Sequence, residues 1–160
     1  MAEVRRHLPH PPETVFTALT TPETYPFWLV GCQAIRGVDP GWPAVGTAFH
    51  HRVGVIGAVT VADSTKVLEL EAPHRLVLEV RARPLGRGRV SFDLVPDGEA
   101  ATTLVLDEVP IGALGPLRPV IDPVTDRRNQ RSVTRLCEYL DADRVLHRSC
   151  SGPDDVDIRV

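Results

Sequence analysis

Hydrophobic and polar residues alternate with a period of two through the middle of the chain, a pattern that predicts β-strands. Six extended segments are predicted, at 33–39, 46–54, 58–71, 75–84, 88–96 and 101–109. In the last segment Leu104 and Leu106 alternate with Thr103 and Asp107. One face of the sheet is therefore expected to be apolar and the other polar. The connections are short, so neighbouring strands are expected to be antiparallel hairpins.

Before this region, a short extended segment at 3–8 is followed by two predicted helices. The first opens at 10–13, where proline suits the first turn. Its apolar residues lie on one helical face and are Val15, Phe16 and Leu19. The second begins with Thr21 as N-cap and Pro22 as the first helical residue, and it runs to about residue 29.

A long helix is predicted after the last strand. Asp122 and Pro123 form a cap and first turn, although Pro116 offers an earlier start that would leave Pro123 as a kink inside the helix. In either case the helix is expected to reach about residue 140. The segment 142–160 has few large apolar residues and an acidic cluster, so we expect a flexible tail after a single domain at 1–141.

Composition narrows the class of protein. The chain has 160 residues and a formal charge of −3, which suits one globular domain and makes a nucleic-acid partner a poor hypothesis. The longest nearly apolar run, 53–62, is too short to span a membrane, and no secretory signal precedes the domain, so a cytoplasmic protein is expected. The three cysteines are widely spaced and no nucleotide-binding motif occurs, so neither a metal nor a cofactor is expected.

Five segments of the chain carry a resemblance to a known superfamily. They are VRRHLPHPPETVFTALTTPETYPFW at 4–28, VGTAF at 45–49, VLELEAPHRL at 67–76, GPLRP at 115–119 and RNQRSVTRLCEYL at 128–140. With the order of the predicted elements, they resemble the START-like or SRPBCC superfamily, within it the polyketide cyclase/dehydrase-like branch common in actinobacteria. The resemblance covers about residues 1–141, and its motifs concern the fold more than the chemistry.

The resemblance implies an α+β helix-grip fold, also called START-like or Bet v 1-like. In that fold a curved seven-stranded antiparallel sheet wraps around a long C-terminal helix, and two short helices follow the first strand. It also implies a deep apolar cavity between the sheet and the long helix. Such a cavity is the default site for a small hydrophobic molecule.

Strand parity predicts which polar residues face this cavity. If Phe49 and Val53 point inward, so does His51, whereas His50 and Arg52 point outward. The two histidines therefore diverge and do not chelate one metal ion. His51 is predicted either as a satisfied or partly exposed histidine or as a general acid or base.

Two carboxylates share this inward parity, Asp63 and Glu108. In a dry cavity desolvation would raise the pKa of either carboxyl group and suit it to proton transfer. The alternative is that both lie at strand ends, in water or near an arginine. His51, Asp63 and Glu108 are thus the catalytic candidates, with no role assigned.

The residues predicted to contact a ligand come from four parts of the fold. They are Tyr25, Trp28, Phe49, His51, Leu78, Phe92, Leu106, Thr125, Asn129 and Ser132. Tyr25 and Trp28 are candidates for the cavity rim, with buried packing as the alternative. The three on the long helix interrupt an apolar stripe, and a wet cavity mouth explains them equally well. Arg127, Arg131 and Arg135 are interpreted as a solvated helix face.

Three functions fit these observations. The first is a binding protein that holds a lipid, polyketide or isoprenoid molecule in the cavity. The second is a polyketide aromatase/cyclase or dehydratase acting in the same cavity, and the third is a protein-interaction domain without a ligand. We favour the first because cyclases usually carry more inward polar residues. Oligomeric state has no signature in the sequence.

Overall fold

The computed structural model describes residues 2–56, 59–82, 86–111 and 118–150. The strands are β1 (Ala2–Leu8), β2 (Cys32–Val38), β3 (Ala48–Ile56), β4 (Val59–Glu71), β5 (Arg75–Ala82), β6 (Gly86–Pro96) and β7 (Thr102–Ile111). The helices are α1 (Pro12–Thr20), α2 (Tyr25–Trp28) and α3 (Arg118–Cys150), with a 3₁₀ turn at Pro22–Thr24 before α2. The predicted order of elements is confirmed, and the predicted strand ends that fall on described residues lie within two residues of the observed ones; residues 58, 83 and 84 of the predicted strands lie outside the described residues.

The seven strands form one antiparallel sheet in the order β1-β7-β6-β5-β4-β3-β2. Strands β2 to β7 follow one another as a meander, and β1 closes the far side by pairing with β7. Register shifts interrupt three of the pairings, between β2 and β3, between β3 and β4, and between β4 and β5. Such bulges bend and twist a strand, which accounts for the curvature of this half of the sheet.

The N-terminal helices form where they were predicted. Val15, Phe16 and Leu19 are buried on one face of α1. The second helix divides into the 3₁₀ turn and α2, and it ends before Gly31, whose positive φ of 98° suits glycine. Thr21 occupies the predicted N-cap position before Pro22, but its side chain makes no capping bond: its hydroxyl donates back to the carbonyl oxygen of Thr17 at 2.7 Å and accepts no N–H of the following turn.

Helix α3 differs from the prediction at both ends. It is already helical at Arg118, so Pro123 lies inside the helix, as the earlier of the two predicted starts requires. It continues to Cys150, beyond the predicted end at residue 140, because neither glycine nor proline occurs between 124 and 151. Residues 142–150 of the predicted tail at 142–160 therefore belong to α3, and residues 151–160 lie outside the described residues. None of the helices in the described ranges is long and apolar enough to cross a membrane.

The hydrophobic core lies between the concave face of the sheet and the helices. Alternate residues of β6 and β7 are buried, which confirms one dry and one wetter face in these strands. The C-terminal half of α3 contributes Val133, Leu136 and Leu140 to the core. Helix α3 lies against β1 and α2 and also approaches β7, so it covers the concave face from one edge.

Candidate ligand-binding site

Three polar side chains lie together on the concave face of β3 and β4. His51 is opposite Asp63 in the strand register, and Thr65 is two residues further along β4. All three are buried, with His51 only 4% exposed. His50 and Arg52 are exposed on the other face, so the predicted parity of β3 is confirmed.

His51 makes one hydrogen bond in the described part of the structure. Its Nε2 lies 3.0 Å from Oγ1 of Thr65. Its Nδ1 is buried and has no hydrogen-bond partner among the described residues. Burial lowers the pKa of His51, and the nearby Asp63 carboxylate offsets this in part. Since its ordinary pKa is 6.5, His51 is neutral at pH 7.

An aromatic cluster adjoins this polar group. The ring centroid of Phe49 lies 5.3 Å from that of His51 and 4.7 Å from that of Tyr25. The ring centroids of Tyr25 and Trp28 are 4.5 Å apart, and those of Trp28 and Phe92, which meet edge to face, are 6.4 Å apart. The tilted and edge-on arrangements are those that aromatic pairs prefer. The cluster therefore joins α2 to the concave faces of β3 and β6.

The polar atoms of these aromatic side chains are bound inside the protein. The Tyr25 hydroxyl donates to the carbonyl oxygen of Leu19 at 2.7 Å, and Trp28 Nε1 donates to Oγ1 of Thr24 at 3.0 Å. Both side chains are almost completely buried, and burial raises the pKa of Tyr25. They therefore do not form an exposed rim, and they would contact only a ligand that lies inside the concave face.

The apolar part of the predicted site lies on the middle strands. Leu78 on β5, Phe92 on β6 and Leu106 on β7 are all buried on the concave side. Phe92 and Leu106 are opposite each other in the register, as are Leu78 and Val90. The concave face is thus hydrocarbon at these positions of β5 to β7, and polar where His51, Asp63 and Thr65 lie.

The polar residues predicted on α3 are engaged with the protein itself. The Ser132 hydroxyl accepts a hydrogen bond from the Val30 backbone N–H at 3.1 Å and donates to the Arg128 carbonyl oxygen at 3.0 Å. Asn129 Nδ2 donates to Oε2 of Glu108 at 2.9 Å. Thr125 is partly exposed. Asn129 therefore connects α3 to β7, and Ser132 connects it to the segment after α2, roles that the helical periodicity did not reveal.

Glu108 lies in an ion pair. The Arg128 guanidinium donates to its Oε2 and also to Oδ1 of Asn129, the latter at 3.1 Å. This agrees with the predicted alternative of a strand-end carboxylate near an arginine. Arg127, Arg131 and Arg135 are exposed on α3, as expected of a solvated helix face.

A cleft lies outside the concave face of the sheet, between β1 and α3. Its volume is about 320 Å³. It is lined by Glu3, Val4, Arg5, Arg6, Gln130, Val133 and Thr134. Its Arg5 is paired with Glu3 at 2.9 Å. An open cleft with this polar lining suits a hydrophobic molecule poorly.

Sequence reasoning missed two residues of these networks. Thr65 shares the parity of Asp63, so the alternation could have identified it. His10 could not have been found in this way, because its Nε2 contacts Oδ1 of Asp141 at 2.8 Å across most of the chain. No group of three or more His, Cys, Asp or Glu residues in the described ranges is arranged to hold a metal ion. Burial raises the pKa of the Cys32 thiol to about 11, which makes it a poor nucleophile.

Solved structures with the same fold come from diverse sources. NE0264 from Nitrosomonas europaea is 19% identical and has a TM-score of 0.72, with 89% of this chain and 95% of that chain covered. Ara h 8.0201 is 16% identical with a TM-score of 0.67, covering 88% and 96%. DynU16, a protein in the dynemicin biosynthetic locus, is 23% identical with a TM-score of 0.59, covering 87% and 46%. At these identities the similarity shows the fold alone.

Comparison with the curated proteins found no match. A family model described as polyketide cyclase / dehydrase and lipid transport matches residues 2–141. The match includes every strand, both N-terminal helices and the buried part of α3. With its Bet v 1-like helix-grip fold, this chain belongs to the polyketide cyclase / dehydrase and lipid transport family.

Proposed function

We propose that the protein binds a hydrophobic small molecule, of the lipid, polyketide or isoprenoid type, between the concave face of the sheet and α3. The family includes lipid transport as well as cyclase and dehydrase members. Affinity would come from the removal of hydrocarbon from water, which contributes about 25 cal/mol for each Å² of apolar surface buried. The surface removed from water is mainly the ligand's own, since Leu78, Phe92 and Leu106, which would contact it, are already buried.

One observation carries this proposal. The Nδ1 atom of His51 is buried on a concave face that is otherwise largely apolar, and it has no hydrogen-bond partner among the described residues. Leaving a buried polar group unsatisfied costs about 1–3 kcal/mol. A ligand that supplies the missing partner removes this cost, and the same atom then fixes the orientation of an otherwise apolar molecule.

The alternative function is a polyketide cyclase or dehydratase in the same site. It is favoured by the position of Asp63 directly opposite His51, since a buried imidazole beside a carboxylate suits proton transfer. Loss of turnover with unchanged ligand affinity in Asp63→Asn would favour the enzyme, and loss of ligand affinity alone would favour the binding protein.

The experiment is an overpacking series on the concave face. We expect Leu78→Phe to keep the thermal midpoint of the wild type within a few degrees, because unfilled space accepts the larger ring. It should weaken binding of a naphthalene-sulfonate dye about tenfold or more, because the ring occupies the ligand's place. The control is Val95→Phe, at an exposed position on β6, which should change neither quantity.

A filled interior predicts the opposite result. Forcing extra carbons into a close-packed core costs about 1–3 kcal/mol. If Leu78→Phe lowers the thermal midpoint and the wild type binds no dye, the proposed function is wrong. Native mass spectrometry of the protein purified from its own host provides a second readout, with a co-purifying, largely hydrocarbon metabolite as the expected result.

A further inference from the structure

The contact between His51 and Thr65 restricts where the imidazole carries its proton. A neutral imidazole has one N–H donor and one acceptor nitrogen, and a threonine hydroxyl has a single hydrogen to donate. The Thr65 hydroxyl makes its side-chain hydrogen bond to His51 Nε2 at 3.0 Å, and no other acceptor for it occurs among the described residues. One hydrogen must therefore lie between these two atoms.

The two possible arrangements differ in how many polar groups they leave unsatisfied. If Nε2–H donates to Thr65, the hydroxyl hydrogen has no acceptor and Nδ1 is a bare acceptor with no donor. If the hydroxyl donates to Nε2, only one group is unsatisfied, the Nδ1–H of His51. Each unsatisfied buried group carries a substantial cost, so the second arrangement is more stable.

We propose that the ligand presents a carbonyl oxygen, as in a ketone, ester or quinone, to the Nδ1–H of His51. This inference rests on the proposed function and specifies the polar group that the bound molecule must carry. Thr65 acts as a positioning residue, because its hydroxyl holds the imidazole in the tautomer that donates from Nδ1. The molecule is otherwise apolar, to match Leu78, Phe92 and Leu106.

The charges around His51 favour a neutral acceptor over an anion. His51 is neutral at pH 7 and carries no positive charge to balance an anion. Asp63 lies directly opposite on β4, and a second carboxylate in the same buried space would repel it. A free fatty acid with its carboxylate at this position is therefore disfavoured relative to a ketone or an ester of the same size.

The test uses two rigid probes of the same outline, fluorene and 9-fluorenone, which differ by a methylene and a carbonyl group. The dissociation constants of the two probes are measured by dye displacement. The ratio of the two constants is then compared among variants, because the difference in hydration between the probes is the same for every variant and cancels. One net hydrogen bond corresponds to about a fivefold change. We expect the preference for fluorenone to fall about fivefold in both His51→Phe and Thr65→Val. It should be unchanged in His50→Gln, which alters an exposed side chain on the opposite face.

A spectroscopic readout distinguishes a hydrogen bond from a change of shape. The infrared carbonyl stretch of bound fluorenone should lie at lower frequency in the wild type than in His51→Phe. If all variants bind fluorene but neither the ratio nor the stretch changes, the inference is wrong and hydrophobic binding still stands. If the wild type binds neither probe and no dye, the proposed function fails and the inference fails with it.

Discussion

At the scale of single residues, the burial of His51 makes the stability of the folded protein depend on pH. Burial lowers its pKa in the folded protein, so the folded state binds fewer protons than the unfolded state below the ordinary value of 6.5. The stability that the neutral imidazole contributes is therefore fully present above pH 6.5 and is lost as pH falls through the lower, folded-state pKa. We expect acidification from pH 7.5 to 5.5 to reduce the free energy of unfolding more in the wild type than in His51→Phe. Urea unfolding at the two pH values measures this difference.

The comparison with His51→Phe is needed because the chain has five other histidines. His7, His10 and His50 each lie beside an aspartate, and those pairs are unchanged in the variant. NMR titration of the imidazole gives an independent reading, with a midpoint below 6.5 expected for His51. An equal loss of stability in both proteins would show that His51 is not held neutral by burial.

At the scale of elements, one hydroxyl joins α3 to the segment after α2. Ser132 and Thr134 both donate to the carbonyl oxygen four residues earlier in α3, but only Ser132 also accepts a hydrogen bond from another element, the Val30 N–H. Ser132→Ala leaves that backbone donor without its partner. We expect a loss of about 1–2 kcal/mol in the free energy of unfolding, measured by urea denaturation.

Thr134→Ala is the matched control for this loss. Among the described residues its hydroxyl is hydrogen-bonded only within the helix, so the expected change in the free energy of unfolding lies within about 0.5 kcal/mol. Equal effects of the two substitutions would mean that the bond to Val30 contributes nothing to the attachment of α3.

The same elements show what periodicity can and cannot predict. Alternation located the strands, because a half-buried strand must place apolar side chains on one side. It also predicted the inward direction of His51, since no register shift falls between Phe49 and Val53 on β3 where it pairs with β4. The start of α3 was ambiguous because a proline is compatible with the first turn and, at a cost, with the interior of a helix.

Contacts between distant parts of the chain were beyond the reach of periodicity. The helical projection identified Asn129 and Ser132 as unusual, but it could not show that Glu108 and Val30 are their partners. These bonds depend on how α3 lies over the sheet, which many side chains determine together. The residues were therefore predicted as ligand contacts, whereas the structure uses their hydrogen bonds to attach the helix.

At the scale of the whole molecule, the last buried anchor among the side chains of α3 that the structure describes predicts where the folded domain ends. Leu140 is buried in the core, and Asp141 contacts the buried His10 at 2.8 Å, which attaches the helix to the start of α1. Beyond them, Val145 and Leu146 are 66% and 63% exposed, and the family match ends at residue 141.

We expect a chain that ends at Arg144 to have a free energy of unfolding in urea within about 0.5 kcal/mol of that of the full chain, and to bind the dye equally. A chain that ends at Tyr139 loses both anchors, and the loss of Leu140 alone should cost about 2–5 kcal/mol. If the chain ending at Arg144 is destabilised as much as the shorter one, the C-terminal segment packs on the domain and the boundary near residue 141 is wrong.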